Sequence, residues 1–202
     1  MRKDPIEVVA SDPFWVEEGH AYAERVASAL GELAMRVDHV GSTAVPQLEA
    51  KDVIDIQALV FRLDDVEIVN QLKAAGFRHA PDNTGDPANP DATPALGDDD
   101  WRKLYFREPN AERRVHIHVR RNGAAGARQT LLMRDYLRDD EAARRDYGAF
   151  KLALARKTRR DRDAYQAIKG PFISTVLRAA EGWAELTRWQ PGAPDAYWRS
   201  AQ

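Results

Sequence analysis

The spacing of apolar residues predicts a helix near the start of the chain. Asp12-Pro13 has the form of a helix N-cap followed by a first-turn proline. Apolar side chains then recur every three or four positions as far as Leu33. We therefore expect a helix over about 13–33. Runs rich in β-branched residues follow it, and they predict strands over 35–40 and 52–61 on either side of a Gly-Ser turn.

The middle of the chain predicts one further helix and three further strands. Asp64 or Asp65 can cap the helix, and Gly76 is placed to end it. The residues of this helix expected to face inward are Val66, Val69 and Leu72. The strands are expected at 77–80, 101–107 and 113–120, with Pro109-Asn110 in the turn between the last two.

Helical periodicity dominates the chain from about residue 129. It predicts helices near 129–138 and 140–160, and Gly170-Pro171 has the form of a further helix start. The apolar stripe expected on the second of these helices is Ala143, Tyr147, Phe150 and Leu154. The segment 81–100 has no period and is rich in Pro, Gly, Asn and Asp, so we expect a mobile acidic loop there.

Length, charge and composition narrow the class of protein. The 202 residues predict a single domain over 1–180 and an aromatic C-terminal extension over 181–202. The net charge of −2 gives no bulk attraction to nucleic acid or to an anionic membrane. The absence of cysteine excludes disulfides and thiolate chemistry. The N-terminus lacks the apolar run of a signal peptide and no run reaches spanning length, so we expect a cytoplasmic protein that binds neither nucleic acid nor membrane.

The predicted strand 52–61 carries an aspartate, Asp55, whose ionised carboxylate would cost free energy to bury. Alternation puts Val53, Asp55 and Gln57 on one face of strand 52–61, and a buried carboxylate needs a cation, a metal or hydrogen bonds to compensate it. The preceding turn offers the backbone of Gly41 and the amides and hydroxyls of Ser42 and Thr43, which together could cradle an anion. A phosphate held beside a carboxylate is the layout of a metal-assisted phosphoryl or nucleotidyl transfer site.

The polar face of strand 113–120 offers further ligands. His116 and His118 are two residues apart, so their imidazoles project side by side. With Asp55 they form a plausible set for a divalent metal, provided that the two strands are neighbours in the sheet. The basic residues that could contact an anionic substrate are Lys51, Arg102, Lys103, Arg107, Arg134, Lys151 and Lys169.

Each of these features also has a structural explanation. A Gly-Ser pair is most often only a turn, and a single strand Asp is about as often a structural acceptor as a ligand. An H-x-H pair on a polar strand face is more often solvated surface or a partner for carboxylates, and most of the thirty Lys and Arg residues are expected to lie on solvated faces or to pair locally. The combination within one small domain is what favours function.

Several stretches of the sequence together carry a resemblance to a known family. They are DHVGSTAVPQLEAKDVIDIQALV, HIHV, DPFWVEEGHAYAERVASAL and two C-terminal stretches, LLMRDYLRDDEAARRDYGAFKLALA and DRDAYQAIKGPFI. With these stretches the chain resembles the GrpB family of the nucleotidyltransferase superfamily. The resemblance covers about residues 8–178. It implies an α+β, DNA-polymerase-β-like nucleotidyltransferase fold, in which a mixed sheet packs against helices. Gly41 and Ser42 match the superfamily turn, and Asp55 matches its first acid.

The chain departs from the superfamily pattern at the other two acids. Gln57 stands at the second acidic position, and the strand expected to carry the third acid has His116 and His118 instead. One carboxylate and two imidazoles carry too little charge for two Mg²⁺ ions and favour a single Zn, Mn, Fe or Ni ion. The first hypothesis is therefore an enzyme that transfers a nucleotidyl or phosphoryl group with one divalent metal.

In this hypothesis Asp55, His116 and His118 hold the metal, Gly41, Ser42, Thr43 and Lys51 hold phosphate, and Gln57 orients a ligand or water. The partner would be a nucleotide or another small anionic ligand. The second hypothesis is a module on the same fold that binds such a ligand without turnover. The third is a structural cluster of Asp and His with no ligand. The substrate, the acceptor and the oligomeric state are left open by the sequence.

Overall fold

A five-stranded mixed sheet organises the fold. The computed structural model describes residues 5–86, 97–108 and 113–196. The strands are β1 (Ala34–Val40), β2 (Ile54–Val60), β3 (Arg78–His79), β4 (Leu104–Arg107) and β5 (Val115–Arg121). Their order is β1-β2-β5-β4-β3, and β2 and β5 are parallel whereas the other neighbours are antiparallel.

The register between β2 and β5 places the polar residues of the two strands side by side. Asp55 pairs with His116, and Gln57 pairs with His118. Because side chains alternate along a strand, all four lie on one face of the sheet. The two strands predicted to be neighbours are therefore adjacent, at the centre of the sheet.

The described residues form five α-helices. They are α1 (Phe14–Leu30), α2 (Val66–Ala74), α3 (Ala125–Asp139), α4 (Glu141–Thr158) and α5 (Arg162–Thr187). Of these, α1, α2 and α3 contact the sheet, while α4 and α5 pack on each other and on α3. The largest core cluster joins α1 and α2 to the face of the sheet that carries Ile54, Ile56 and Ile117. A second cluster joins α3, α4 and α5 through Leu132, Tyr147 and Ala180. The predicted α+β fold, a mixed sheet packed against helices, is confirmed.

Most predicted elements are present, and two details were wrong. Val66, expected to face inward, is 69% exposed, and the buried residues of α2 are Ile68 and Leu72. Gly170-Pro171 does not start a helix, because α5 begins at Arg162 behind an Asp161 cap and contains Pro171. The Asp161 side chain accepts a hydrogen bond from the first turn, so the helix begins there and Pro171 lies in its interior. The predicted turn at Pro109-Asn110 and residues 87–96 of the predicted loop lie outside the described residues.

The C-terminal segment folds back onto the sheet. Val37 and Ala196 exchange backbone hydrogen bonds of 3.0 and 2.9 Å, which extends the sheet beyond β1. The Asp195 carboxylate accepts a 2.8 Å hydrogen bond from the backbone N–H of His39. Residues up to Ala196 are thus packed on the body of the protein. None of the helices in the described ranges combines the length and apolar character needed to cross a membrane.

Candidate functional site

Three predicted residues meet on the polar face of the sheet. Asp55 Oδ1 lies 3.2 Å from Nδ1 of His116 and 3.6 Å from Nε2 of His118. One ligand atom from each residue lies within 4.8 Å of the other two. The side chains are 28%, 27% and 17% exposed respectively, so the group is open to solvent on one side. The structure therefore brings the predicted metal ligands together.

The charge state of this group suits a cation. Burial alone would raise the pKa of Asp55, but hydrogen bonds from His116 and His118 outweigh it and hold that pKa far below its usual range. Burial lowers the pKa of His118 to about 4, and the neighbouring Asp55 only partly offsets this effect. At neutral pH, Asp55 is ionised and His118 is neutral, with a lone pair available for a metal.

The donor set also fits a metal by distance. Ligand atoms held about 2.1 Å from one ion lie roughly 3.0–3.4 Å apart in octahedral or tetrahedral geometry. The separations of 3.2 and 3.6 Å are close to this range, so a small movement of the imidazoles would complete a three-ligand site. Its total charge of −1 and its two nitrogens favour one Zn, Mn, Fe or Ni ion over Mg²⁺.

Gly41 is the residue that allows the turn to approach Asp55. Its backbone has φ 72° and ψ −168°, a conformation that is essentially restricted to glycine. A Cβ atom at this position would lie 2.6 Å from Oδ2 of Asp55. The Gly-Ser turn is thus packed directly against the carboxylate, as the functional interpretation of the sequence requires.

Lysines from three parts of the chain gather beside the turn. Lys151 on α4 is 3% exposed and donates a 2.8 Å hydrogen bond from Nζ to Oγ of Ser42. Its ammonium also lies 4.5 Å from the ring centre of Tyr147, and that of Lys51 lies 3.8 Å from the ring centre of Tyr165. Among the residues that the structure describes, neither lysine forms an ion pair with a carboxylate.

Burial lowers the pKa values of these lysines, and the positive charge of each neighbouring lysine lowers them further. Burial and the charge of Lys169 lower the pKa of Lys151 to about 7. Burial, Lys169 and Arg162 lower that of Lys51 to about 8. Buried cations without carboxylate partners are costly, and an anionic ligand would remove the cost. The sequence offered Lys151 and Lys169 only as two of many basic residues, because nothing in the helical pattern indicates that they face Ser42.

Two predicted residues are engaged elsewhere. The Thr43 hydroxyl donates a 3.0 Å hydrogen bond to the Val53 carbonyl and contacts Nε2 of His39 at 3.0 Å, so it holds the turn in place. The Gln57 amide accepts from Arg120 at 2.8 Å and donates to the Ala127 carbonyl at 3.2 Å. Gln57 is fully buried, so its side chain is committed to packing β2 against β5 and α3.

Tyr105 is a site residue that the sequence did not reveal. Its ring centre lies 5.4 Å from that of His116 and 5.2 Å from that of His118, so it packs against both imidazoles. Burial raises its pKa to about 12, which keeps the phenol neutral. The signal available in the sequence was the alternation of strand 101–107, but the pairing of Tyr105 with His118 depends on a register that only the structure shows.

Two cavities border the Asp55 group, one lined by Asp55 itself and the other by His116. A small cavity of about 190 Å³ is lined by Gly41, Ser42, Asp55, Tyr147 and Lys169, among others. A larger cleft of about 670 Å³ is lined by His116, by the β3–β4 edge of the sheet and by the first turn of α5. Asp55 and His116 are hydrogen-bonded to each other, so the candidate metal site lies where the two cavities meet.

Comparison with known proteins gives related sequences and a related structure. A protein of Mycolicibacterium paratuberculosis named dephospho-CoA kinase is 37% identical over 206 residues, which cover 95% of this chain and 50% of the relative. A UPF0157 protein of Pseudomonas aeruginosa is 33% identical over 181 residues, covering 88% of this chain and 68% of the relative. The chain spans about half the length of the mycobacterial relatives that it matches.

The crystal structure of the conserved protein GrpB from Enterococcus faecalis has the same fold. It superposes with a TM-score of 0.70 at 26% identity and covers 88% of this chain and 99% of its own. The family model described as GrpB protein matches residues 5–179, a range that includes every residue of the candidate site. The chain belongs to the GrpB family.

Proposed function

We propose that the protein is a metal-dependent transferase that moves a nucleotidyl or phosphoryl group from a nucleotide to an acceptor. The observation that carries this proposal is the meeting of Asp55, His116 and His118 beside the Gly-Ser turn, with lysines on the other side of that turn. A carboxylate and two imidazoles for a metal, next to cations for phosphate, match the requirements of phosphoryl chemistry.

Each residue has a distinct role in the proposal. Asp55, His116 and His118 would hold one divalent ion, which supplies charge stabilisation at the transferring phosphoryl group. Ser42 and Lys151 would bind a terminal phosphate, since their 2.8 Å hydrogen bond places a donor and a positive charge at one point. Gly41 would let the turn lie directly against Asp55, so that Ser42 is held beside the metal ligands.

The remaining predicted residues act indirectly. Thr43 contributes through its backbone position, because its hydroxyl is engaged by Val53. Gln57 is a positioning residue, since its amide links Arg120 to the start of α3. Lys51 lines the larger cleft and not the small cavity, so the positive charge that it adds lies on the side of His116. The kinase activity in the name of the mycobacterial relatives is not carried over, because those proteins are twice as long and this chain lacks the G-x-x-x-x-G-K-[ST] phosphate loop.

A labelling experiment tests the transferase proposal. The protein is incubated with Mn²⁺ and α- or γ-labelled nucleotide together with a panel of small-molecule and protein acceptors. We expect label transfer by the wild type, a loss of at least 100-fold in Asp55→Asn, and full activity in Asp64→Asn, whose carboxylate is 74% exposed on the surface. Equal labelling by wild type and Asp55→Asn would remove Asp55 from the mechanism.

Non-catalytic binding is the second candidate function. The observation that favours it is the presence of one carboxylate in the metal group, with an amide and an imidazole at the positions where the superfamily carries its other acids. Calorimetry with a nucleotide panel separates the two functions. Micromolar binding that depends on Lys151, with no product after long incubation, would favour the binding module.

A further inference from the structure

The large cleft beside His116 has the size and the charge of a site for an anionic small molecule. Its volume of about 670 Å³ lies in the range of pockets that hold metabolites. The cationic residues that line it are Lys51, Arg78, Arg107, Arg114 and Arg162. Three acids, Asp82, Glu108 and Asp163, also line it. The cleft is therefore net positive by two charges, although the chain as a whole carries −2.

The cleft is placed as a second substrate site would be. The phosphate side of the proposed site, with Ser42 and Lys169, opens into the small cavity. The cleft lies on the side of His116 and shares no lining residue with that small cavity. A nucleotide phosphate and a molecule in the cleft would thus approach the metal group from different directions, as a donor and an acceptor must in a displacement reaction.

The chemistry of the site limits what the acceptor can be. Asp55 is the only carboxylate in the described metal group, and its proposed role is to hold the metal. The Glu108 carboxylate at the cleft wall already accepts a hydrogen bond from the backbone N–H of Val115, and the other two acids of the cleft, Asp82 and Asp163, are exposed residues outside the Asp55 group. An acceptor hydroxyl would need a base to remove its proton. A phosphate monoester, with its second pKa near about 6, already has an ionised oxygen at neutral pH and needs none.

We propose that the cleft binds an acceptor carrying a phosphate or carboxylate group and that the oxyanion of this group is the nucleophile. This inference rests on the proposed function. In the step, the acceptor oxygen forms a bond to the α-phosphorus of the nucleotide, the bond from that phosphorus to the bridging oxygen breaks, and pyrophosphate leaves. No proton is transferred. Arg78 and Arg107, two exposed arginines of the cleft lining, bind and orient the anion through their Nη donors, since Nε of Arg78 already donates to the Glu108 carbonyl.

Matched pairs of small molecules test the occupant of the cleft. Binding is measured by calorimetry without nucleotide, with glycerol 3-phosphate against glycerol and with lactate against glycerol. We expect the anions to bind and glycerol not to bind. The affinity for glycerol 3-phosphate should fall at least tenfold in Arg78→Gln/Arg107→Gln, two exposed residues of the sheet edge. Arg62→Gln, at an arginine that is 64% exposed and pairs with Asp64, is the matched control and should bind normally.

The outcomes separate this inference from the proposed function. Unchanged binding in the double variant, or binding lost in Lys151→Met instead, would overturn the assignment of the cleft. If the anions bind there, the same compounds are then offered with labelled nucleotide and Mn²⁺. Transfer to glycerol 3-phosphate or lactate and not to glycerol supports an oxyanion nucleophile, and transfer to glycerol alone contradicts it. Anion binding in the cleft with no transfer to the bound anion, while label still reaches another acceptor in the panel, would overturn the acceptor role and leave the proposed transferase standing.

Discussion

At the scale of single residues, Gly41 and Asp55 are packed so closely that the turn and the carboxylate act as one unit. The turn carries a backbone conformation that other residues avoid, and the space for a side chain is filled by the carboxylate itself. The conformation of Gly41 and the position of Asp55 therefore depend on each other, and Gly41 should be needed for the site as well as for the fold.

Substitution of Gly41 by alanine should damage both stability and metal binding. The unfavourable backbone conformation should cost about 1–3 kcal/mol, and the new Cβ atom should push Asp55 away from the two imidazoles. We expect a lower midpoint of urea unfolding and at least a tenfold weaker affinity for Mn²⁺, measured by calorimetry.

Gly31→Ala is the matched control for this substitution. Gly31 also has a positive φ, 55°, but a Cβ atom there would meet nothing within 4 Å. It should lose stability and keep its metal affinity. If Gly41→Ala kept its metal affinity as well, the contact with Asp55 would have no part in the site.

The Lys151–Ser42 contact predicts that anion binding depends on pH. The pKa of Lys151 is lowered to about 7 by burial and by Lys169, so this lysine loses its proton as the pH rises through 7. Sulfate keeps its charge over this range, which makes it a suitable probe. Its affinity should fall several-fold between pH 6 and pH 8, as followed by calorimetry.

Lys151→Met is the variant that tests the origin of this dependence. It should bind sulfate weakly at both pH values. A wild-type affinity that is the same at pH 6 and pH 8 would show that Lys151 does not contact the anion.

The sequence predicted which polar side chains would lie together better than it predicted their other contacts. Asp55 and the two histidines could be chosen because alternation puts each on the polar face of its own strand. The engagement of Gln57 by Arg120, and the packing of Tyr105 on the imidazoles, depend on contacts between strands that are distant in sequence. Contacts between distant strands produce no recognisable pattern in the local sequence of either strand.

At the scale of elements, helices α4 and α5 complete the site that the sheet begins. The sheet supplies the metal group, and these helices supply Lys151, Lys169 and the aromatic rings beneath the lysines. Helical periodicity revealed the apolar stripe of α4, but it does not reveal which turn of a helix faces a distant loop. The start of α5 was also missed, because the Asp161 cap is a weaker signal than the Gly-Pro pair nine residues later.

The C-terminal segment should be an integral part of the fold. Asp195 accepts a hydrogen bond from the His39 N–H and lies 3.5 Å from Arg134, which is 4% exposed. Asp195→Ala would leave this N–H without an acceptor, so we expect a loss of about 1–3 kcal/mol in the free energy of unfolding. Urea denaturation measures this change.

The control for Asp195 is an exposed aspartate in another ion pair. Asp64→Ala removes the partner of Arg62 at the surface and should change stability by less than about 0.5 kcal/mol. An equally small effect of Asp195→Ala would mean that residues near 195 only rest on the surface of β1.

At the scale of the whole molecule, the free energy of unfolding should depend on pH, because buried imidazoles stay neutral in the folded protein. Burial lowers the pKa of His39 to about 4, and this residue is 2% exposed. The unfolded chain binds a proton at His39 near pH 6.5 and the folded chain does not, so stability is lost as the pH falls from 6.5 to 4. The contribution of His39 should be about 3 kcal/mol.

Unfolding free energies measured across pH 4–7 test this contribution. His39→Gln, which retains an N–H donor for Thr43, should show a clearly shallower dependence on pH than the wild type. Equal slopes in His39→Gln and the wild type would place the acid sensitivity elsewhere in the molecule.

The general architecture could be predicted from the sequence, whereas the cavities could not. Strand and helix periodicity, together with the family motif, gave the mixed sheet and its helices. The cleft is formed by β3, β4, β5 and the first turn of α5, and its arginines come from segments far apart in the chain. Its charge therefore becomes visible only when those segments are assembled.

We propose that Asp55, His116 and His118 hold one metal ion beside the Gly-Ser turn. An anomalous difference map at the manganese edge, from crystals grown with Mn²⁺, tests this proposal. We expect one strong peak within about 2.0–2.3 Å of a carboxylate oxygen of Asp55 and of one nitrogen each of His116 and His118. A map with no peak there, while the three side chains stay hydrogen-bonded to one another, would overturn the proposed metal site.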